Sequence, residues 1–416
     1  MNRTAGWFVL LLAGFFALYF SALVLHGYLG LPPVPGDGQD YDNIALQIAR
    51  GRGVATNSLD LEWRVPYAKY NGSHVYDGIL SRRDGYQLTT YRPPLLPFIL
   101  AGLYRAFGRQ FVSWQVLSCL IVALGLALVC LVAKRVAGTP AMALTAVLSI
   151  ATRSYFSYTG EFGLLTEPLS VGLVGVLLFS IAIMEERPTA GAILCGIDLA
   201  LLGLARNLFI PLTIAITLPL AFVVRRRSAA VAFLLAIGLQ CPWWIRNMHV
   251  LHAPMPFGTQ SGIAMYGGFS DGAVQHGGVF WSTSLKNVGM AYAPLGITCV
   301  NCNEVELARY GWRGAAAWVR AHPVATIVLG WKKVQDTLRS GVDDAGLVVF
   351  LYVFGAAAPF VIRRNSAVLA AFGIVVFNLA VIAATWSAGW RYLVPVEPLL
   401  AFLTAVTVAR VLERRT

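Results

Sequence analysis

Apolar residues run along this chain in long blocks separated by short polar joints. The blocks fall at about 6–27, 111–133, 140–158, 168–184, 189–205, 208–224, 229–245, 345–362, 366–385 and 393–411. Each approaches or reaches the roughly 20 residues that cross a bilayer core as a helix. In lipid only a helix or a closed barrel leaves no backbone group unpaired. The pattern therefore predicts an all-α polytopic membrane protein, a single unit over residues 1–416 with about ten transmembrane helices. A shorter block at 93–107 opens with Pro93-Pro94 and carries Arg105. It is too short to span comfortably and reads as an interfacial or re-entrant segment. The first block is longer than a signal-peptide core and no small-x-small site follows it, so it reads as an uncleaved first helix.

The joints set the orientation. With the N-terminus inside, the inner connections carry Arg3, Lys134-Arg135, Arg187, Arg225-Arg226-Arg227, Arg363-Arg364 and Arg410, Arg414 and Arg415. Short basic loops belong on the cytoplasmic side. Both termini are then cytoplasmic, and two long loops, about 28–110 and 246–344, lie outside. Counting 93–107 as a span would put most of these clusters outside. The stretch from Arg313 to Arg339 has helical character, with Trp318, Val319, Val328, Leu329 and Trp331 on an apolar side and Lys332-Lys333 beside it. It reads as an interfacial helix.

Composition agrees. Of 416 residues, 57% are hydrophobic and 12% charged, against about 25% charged in an ordinary soluble domain. The net charge of +12 would suggest nucleic acid in a soluble protein. Here the bases sit at the joints, and no aromatic-and-basic pattern of a nucleic-acid module is present. Cys119, Cys130, Cys195 and Cys241 read as small core hydrophobes. Cys299 and Cys302 form a lone C-x-x-C, more consistent with a local disulfide than with zinc. Asn71-Gly72-Ser73 fits a glycosylation sequon by chance. Trp243, Trp244, Trp386 and Trp390 read as an aromatic belt. Asp198 falls near the middle of a span, where a carboxylate marks an ion or proton path by default; the favoured alternative is a structural acid, protonated and bonded to a neighbouring helix.

The predicted topology sorts the polar chemistry to one face. Asp37, Asp40, Asp42, Arg92, Glu161, Glu167, Arg206, Arg246, Asn247, Trp390 and Arg391 all fall at outer helix ends or in outer loops. Opposite charges converging between helices at one membrane face are costly unless paired or used. Acid and base together suit transfer from a phosphate leaving group to a hydroxyl. A carboxylate takes the acceptor proton, and arginines neutralise the developing phosphate charge. The acidic run Gly36-Asp37-Gly38-Gln39-Asp40-Tyr41-Asp42 can equally be a solvated turn with capping aspartates.

Seven short motifs occur in order from residue 37 to residue 398. They are Asp37-x-x-x-Tyr41, Arg92-Pro93-Pro94-x-x-Pro97, Thr166-Glu167-Pro168, Gly203-Leu204-Ala205-Arg206, Pro242-Trp243-x-x-Arg246-Asn247, the Arg320-Ala321-His322-Pro323 helix with Lys332-Lys333, and Arg391-Tyr392-x-x-Pro395-x-x-Pro398. In these the chain resembles GT-C membrane glycosyltransferases, in particular bacterial relatives of protein O-mannosyltransferases and of the aminoarabinose transferase that modifies lipid A. The resemblance implies an inverting glycosyltransferase of the cell envelope, in the bacterial inner membrane with its active site on the outer face. It would use a polyprenyl-phosphate-linked sugar and an acceptor protein, lipid or glycan. It implies Asp37 as the catalytic base, with Asp40 as the alternative. Arg92 would hold the carrier phosphate. Arg246 and Arg391 would be further phosphate ligands, and Tyr41, Glu167, Arg206 and Asn247 would help bind substrate. No cofactor is expected beyond the lipid-phosphate donor; a divalent metal stays open. The competing readings are a transporter or flippase of a lipid-linked saccharide, and an O-antigen-ligase-like or polymerase-like transferase. A transporter would carry its polar groups near the midplane, where only Asp198 and Asn378 qualify.

Overall fold

The computed structural model describes residues 3–34, 36–71, 86–152, 154–160, 163–277, 303–339, 345–385, 389 and 391–414. Glu161, Cys299, Cys302, Trp386, Trp390 and the end of the sequon, Gly72-Ser73, lie outside them.

The chain is helical and embedded in the membrane. Among the described residues, six helices are long and apolar enough to cross it: α1 (Arg3–Leu25), α5 (Phe111–Ala151), α7 (Glu167–Met184), α8 (Pro188–Ala205), α10 (Arg226–Leu251) and α16 (Ser366–Ala384). Helix α5 takes up two of the expected blocks. Its geometry breaks at Ala137 and at Gly138, which has φ 78°, just ahead of Pro140; proline cannot continue the ladder there. The remaining blocks form shorter helices: α9 (Leu212–Val223), α15 (Ala345–Val361) and α17 (Glu397–Glu413). The expected count of ten spans is not reproduced: six full-length candidates stand among the described residues, with shorter apolar helices beside them. Block 393–411 enters its helix only at Glu397, because residues 391–396 turn to carry Arg391 into the site.

Between the spans lie α2 (Asp37–Ala49), α3 (Leu61–Asn71), α4 (Leu95–Phe107) and α6 (Ser154–Thr159). Strands β1 (Ala55–Asn57) and β2 (Tyr86–Leu88) pair antiparallel, Thr56 opposite Gln87. The second loop holds α11 (Gln260–Gly268), α12 (Asp271–Gln275), α13 (Glu304–Ala321) and α14 (Pro323–Arg339).

Helix α5 is central, packing on α1, α7 and α17; α8 lies between α7 and α10. One apolar core runs from Phe15 of α1 to Ala409 of α17. The basic joints gather at one end of this bundle. Arg135 pairs with Glu186 at 2.9 Å, and Arg410 Nη2 donates to the Val136 carbonyl at 2.6 Å.

Segment 93–107 is the well-packed α4. Leu96, Leu100 and Tyr104 are buried against α2, and Arg105 donates to the Ile48 and Ala49 carbonyls at 2.9 and 3.0 Å. The expected helix through Arg313–Arg339 is two helices, α13 and α14, broken at His322-Pro323. Pro323 lacks the donor and pushes the residue before it out of helical geometry; His322 has φ −131°, ψ 59°. Their apolar residues do not share one face. Leu329 is buried while Trp331 is exposed, and Lys333, expected beside the surface, is fully buried. Lys333 Nζ donates to the Thr385 carbonyl at 2.8 Å and sits 3.4 Å above the Phe269 ring.

Cys119, Cys130 and Cys195 are buried free thiols and Cys241 is half-buried. Asp198 is buried, but neither carboxylate oxygen has a hydrogen-bond partner among the described residues, so the expected bond to a neighbouring helix is not made.

Candidate active site

Helix α2 begins abruptly. Gly36, at φ 145° and ψ −149°, turns the chain in a region that a side chain rarely enters. Asp37 follows in the first turn, where the helix dipole favours an acid. Its carboxylate is gripped from two directions. Oδ1 accepts from Arg92 Nη2 at 2.6 Å, and Oδ2 accepts from Arg391 Nη1 at 2.8 Å. Arg92 also donates from Nε and Nη2 to Asp40 Oδ2 at 2.9 and 2.6 Å. The Arg92 guanidinium lies 5.5 Å from the Tyr41 ring centroid and 5.0 Å from that of Tyr91.

The network continues into the bundle. Arg391 Nε donates to Glu167 Oε1 at 2.5 Å, and Arg206 Nη2 approaches the same oxygen at 3.5 Å. Glu167 is fully buried at the start of α7. Six side chains alternate in charge: Asp40, Arg92, Asp37, Arg391, Glu167, Arg206. Buried charges are tolerable only when paired in this way.

Beside the network lies a cavity of about 300 Å³. Its polar side is formed by Asp37, Tyr41, Arg92, Arg206, Arg391 and Tyr392, and its apolar side by Leu208, Pro211, Phe257, Met265, Val381 and Ala384. The cavity residues from the spans all come from the helix ends opposite the basic joints.

The two aspartates differ electrostatically. Burial tends to raise Asp37, but Arg92 and Arg391 together hold its carboxyl well below the usual carboxylate range. Burial pushes Asp40 up to about 6, offset only in part by Arg92, with Asp37 adding repulsion. Asp37, a quarter exposed, lines the cavity as an anion; Asp40, behind Arg92, does not line it.

Two expected ligands do not reach the cavity. Arg246 donates to the Thr89 and Val54 carbonyls at 2.8 and 2.9 Å, bracing the β1–β2 pair, with Trp243 against its guanidinium. Asn247 donates to the Met255 carbonyl at 3.4 Å. Both residues are engaged with loop backbone. Among the described residues no group of three or more His, Cys, Asp or Glu is placed to hold a metal ion.

Other residues shape the site without lining the cavity. Asp42 accepts from Tyr67 Oη at 2.7 Å, Tyr104 Oη at 2.6 Å and Arg109 Nη2 at 2.5 Å, locking α2 to α3, α4 and the start of α5. Glu304 accepts from Thr90 N at 3.2 Å and Thr259 Oγ1 at 2.8 Å, and also from Thr89 Oγ1, joining the two long loops. Asn378, weighed above as a midplane group, donates to the Tyr392 carbonyl at 2.9 Å and steadies the turn bearing Arg391.

By sequence, the chain matches no protein-family model and no curated protein. Solved structures do match. ArnT from Cupriavidus metallidurans, bound to undecaprenyl phosphate, aligns with a TM-score of 0.56 at 16% identity, over 97% of this chain and 60% of its own. The archaeal oligosaccharyltransferase AglB from Archaeoglobus fulgidus, in complex with an inhibitory peptide and a dolichol-phosphate, aligns with a TM-score of 0.53 at 13% identity, over 100% of this chain and 51% of its own. The chain shares its fold with these two solved structures. The chain spans little more than half the length of these two proteins. Within this fold, the charged cavity sits where the first long loop meets the ends of α7, α8 and α16.

Proposed function

We propose that this chain is an inverting glycosyltransferase, moving a sugar from a polyprenyl-phosphate carrier to an acceptor hydroxyl at the outer face of the membrane. The observation that carries the reading is an ionised carboxylate, Asp37, at the wall of a cavity edged by Arg92, Arg206 and Arg391. The undecaprenyl phosphate of the ArnT structure and the dolichol-phosphate of the AglB structure are ligands of those proteins. They support a lipid-phosphate donor here. The basic joints at the far end of the bundle support an outer-face site with both termini cytoplasmic, in a bacterial inner membrane.

The chemistry balances with these groups. The acceptor oxygen attacks the anomeric carbon and its proton passes to Asp37. The bond from that carbon to the carrier phosphate oxygen breaks, and its electron pair stays on the phosphate. The cationic edge of the cavity takes up the growing charge. The arginines that lower Asp37 also keep it ionised before attack.

The test incubates purified full-length protein with a panel of polyprenyl-phosphate sugars and candidate protein, lipid and glycan acceptors, following loss of sugar from the carrier by mass spectrometry. Consumption by the native protein, absent in Asp37→Asn, is expected. Transport of intact lipid-linked sugar across vesicles without cleavage would replace this reading with the flippase one.

A further inference from the structure

Resting on that reading, we infer that Arg206 is the group that grips the carrier phosphate, while Arg92 and Arg391 chiefly hold the carboxylates in place. The three arginines of the cavity differ in how their donors are used. Arg92 gives three hydrogen bonds to two carboxylates, and Arg391 gives one each to Asp37 and Glu167. Arg206 gives none among the described residues. Its nearest carboxylate oxygen, Glu167 Oε1, is 3.5 Å from Nη2 and already accepts from Arg391. Its Nη1 is buried with no partner.

Arg206 is only 8% exposed, and a buried guanidinium with no hydrogen bond is an unfinished site, because burying unpaired N–H donors of a cation is costly. Its placement is nonetheless rigid. Arg206 ends α8 in extended geometry, φ −146° and ψ 116°. The Tyr392 ring lies 5.2 Å beneath its guanidinium. Asn207, the next residue, is tied to the Phe257 carbonyl at 2.6 Å. These contacts fix the side chain without consuming its donors, and the residue lines the cavity.

The unused donors of Arg206, rather than net charge, point to an anion as the missing partner. Asp37, Asp40 and Glu167 already face Arg92, Arg206 and Arg391, and the carboxylates are committed mainly to Arg92 and Arg391. A phosphate monoester or diester offers paired oxygens that a guanidinium accepts through two parallel hydrogen bonds. Arg206 can supply them without breaking the Asp37 clamp. Leu208 and Pro211 of the same connection line the apolar side, beside which the first units of a lipid chain would leave the phosphate.

The test measures binding of undecaprenyl phosphate and of the neutral alcohol undecaprenol to full-length protein in nanodiscs, by intrinsic tryptophan fluorescence. Native protein should prefer the phosphate. Arg206→Gln should lose roughly 10- to 100-fold of that preference, leave undecaprenol binding unchanged, and still elute as a single folded species. Arg206→Lys should recover part of it, since an ammonium serves as a point charge but not as a fork. The double variant Glu167→Gln/Arg206→Gln removes the buried carboxylate left behind, so the measurement survives if Arg206→Gln folds poorly. Native preference retained in the Arg206 variants would overturn this inference alone. A native protein that does not distinguish phosphate from alcohol would overturn both it and the donor reading.

Discussion

Arg391 Nη1 donates to Asp37 Oδ2 at 2.8 Å across 354 positions of chain, while Nε of the same guanidinium holds Glu167. The fork therefore ties the first turn of α2 to the first turn of α7 and the turn before α17. Lysine has no fork to do this. Arg391→Lys should fold and insert but lose about 10-fold or more in turnover, the scale of one charge-assisted bond in a partly dry site. Turnover within twofold of native would remove the clamp from the mechanism.

Asp37→Asn keeps the shape of the side chain and removes its basicity. Turnover should fall roughly 100-fold or more, the scale of general-base catalysis, with carrier binding retained. Asp40→Asn should be milder, because Asp40 contacts Arg92 behind the cavity wall. Steady-state rates for both variants decide it; the reverse order would move the base by three residues.

The pH profile follows from the same clamp. Arg92 and Arg391 hold Asp37 well below the ordinary value, near 4 for a model aspartate. The acid limb of kcat/KM assigned to Asp37 should therefore lie below about pH 4. Arg391→Gln removes one cation, so Asp37 should protonate more readily and the limb should move up in pH. A limb that stays put or moves down contradicts the assignment.

Lys333 gives a stability signature. Burial lowers its amine from 10.5 to about 7. Between about pH 7 and pH 10 the unfolded chain binds a proton that the folded chain does not. Lys333 should therefore contribute increasing stability as pH rises through that window. Thermal unfolding of native protein should gain on Lys333→Met from pH 7 to pH 10; parallel curves would show that the amine is not buried.

Helices α11 and α13 cross where Gly262 and Gly311 face one another. A Cβ on Gly262 would stand 1.9 Å from the Ala308 carbonyl oxygen, and one on Gly311 would stand 2.2 Å from the Gly262 carbonyl oxygen. Backbone on both sides leaves nothing to move aside. Gly262→Ala should destabilise by about 1–3 kcal/mol through overpacking, read as a lowered Tm. It should also perturb the cavity wall at Ser261, Met265 and Trp312.

Orientation has its own check. Lys332 and Arg363 are both exposed, at opposite ends of the bundle. In a background without native cysteines, Lys332→Cys should react with an impermeant maleimide in intact cells, and Arg363→Cys only after lysis. The opposite pattern would place the cavity inside.

Much of this was written locally in the chain. Apolar blocks with basic joints determine helices and their common polarity, because lipid tolerates no unpaired backbone and charge sorts to one side. Asp37, Tyr41 and Arg92 were legible as one group at a common face because they sit in short motifs flanking that pattern. Only the tertiary structure decided which charges reach the cavity. Arg246 and Arg391 look alike in sequence, each an arginine beside aromatics at an outer helix end. One is engaged by the Thr89 and Val54 carbonyls; the other reaches Asp37. Lys333 follows Lys332 in the chain, yet one is exposed and the other buried, since helix α14 packs on α16 along the face that carries Lys333. Local pattern settles where a residue lies along the membrane normal. Its partners depend on which helices meet, through contacts between residues hundreds of positions apart that no short window of sequence contains.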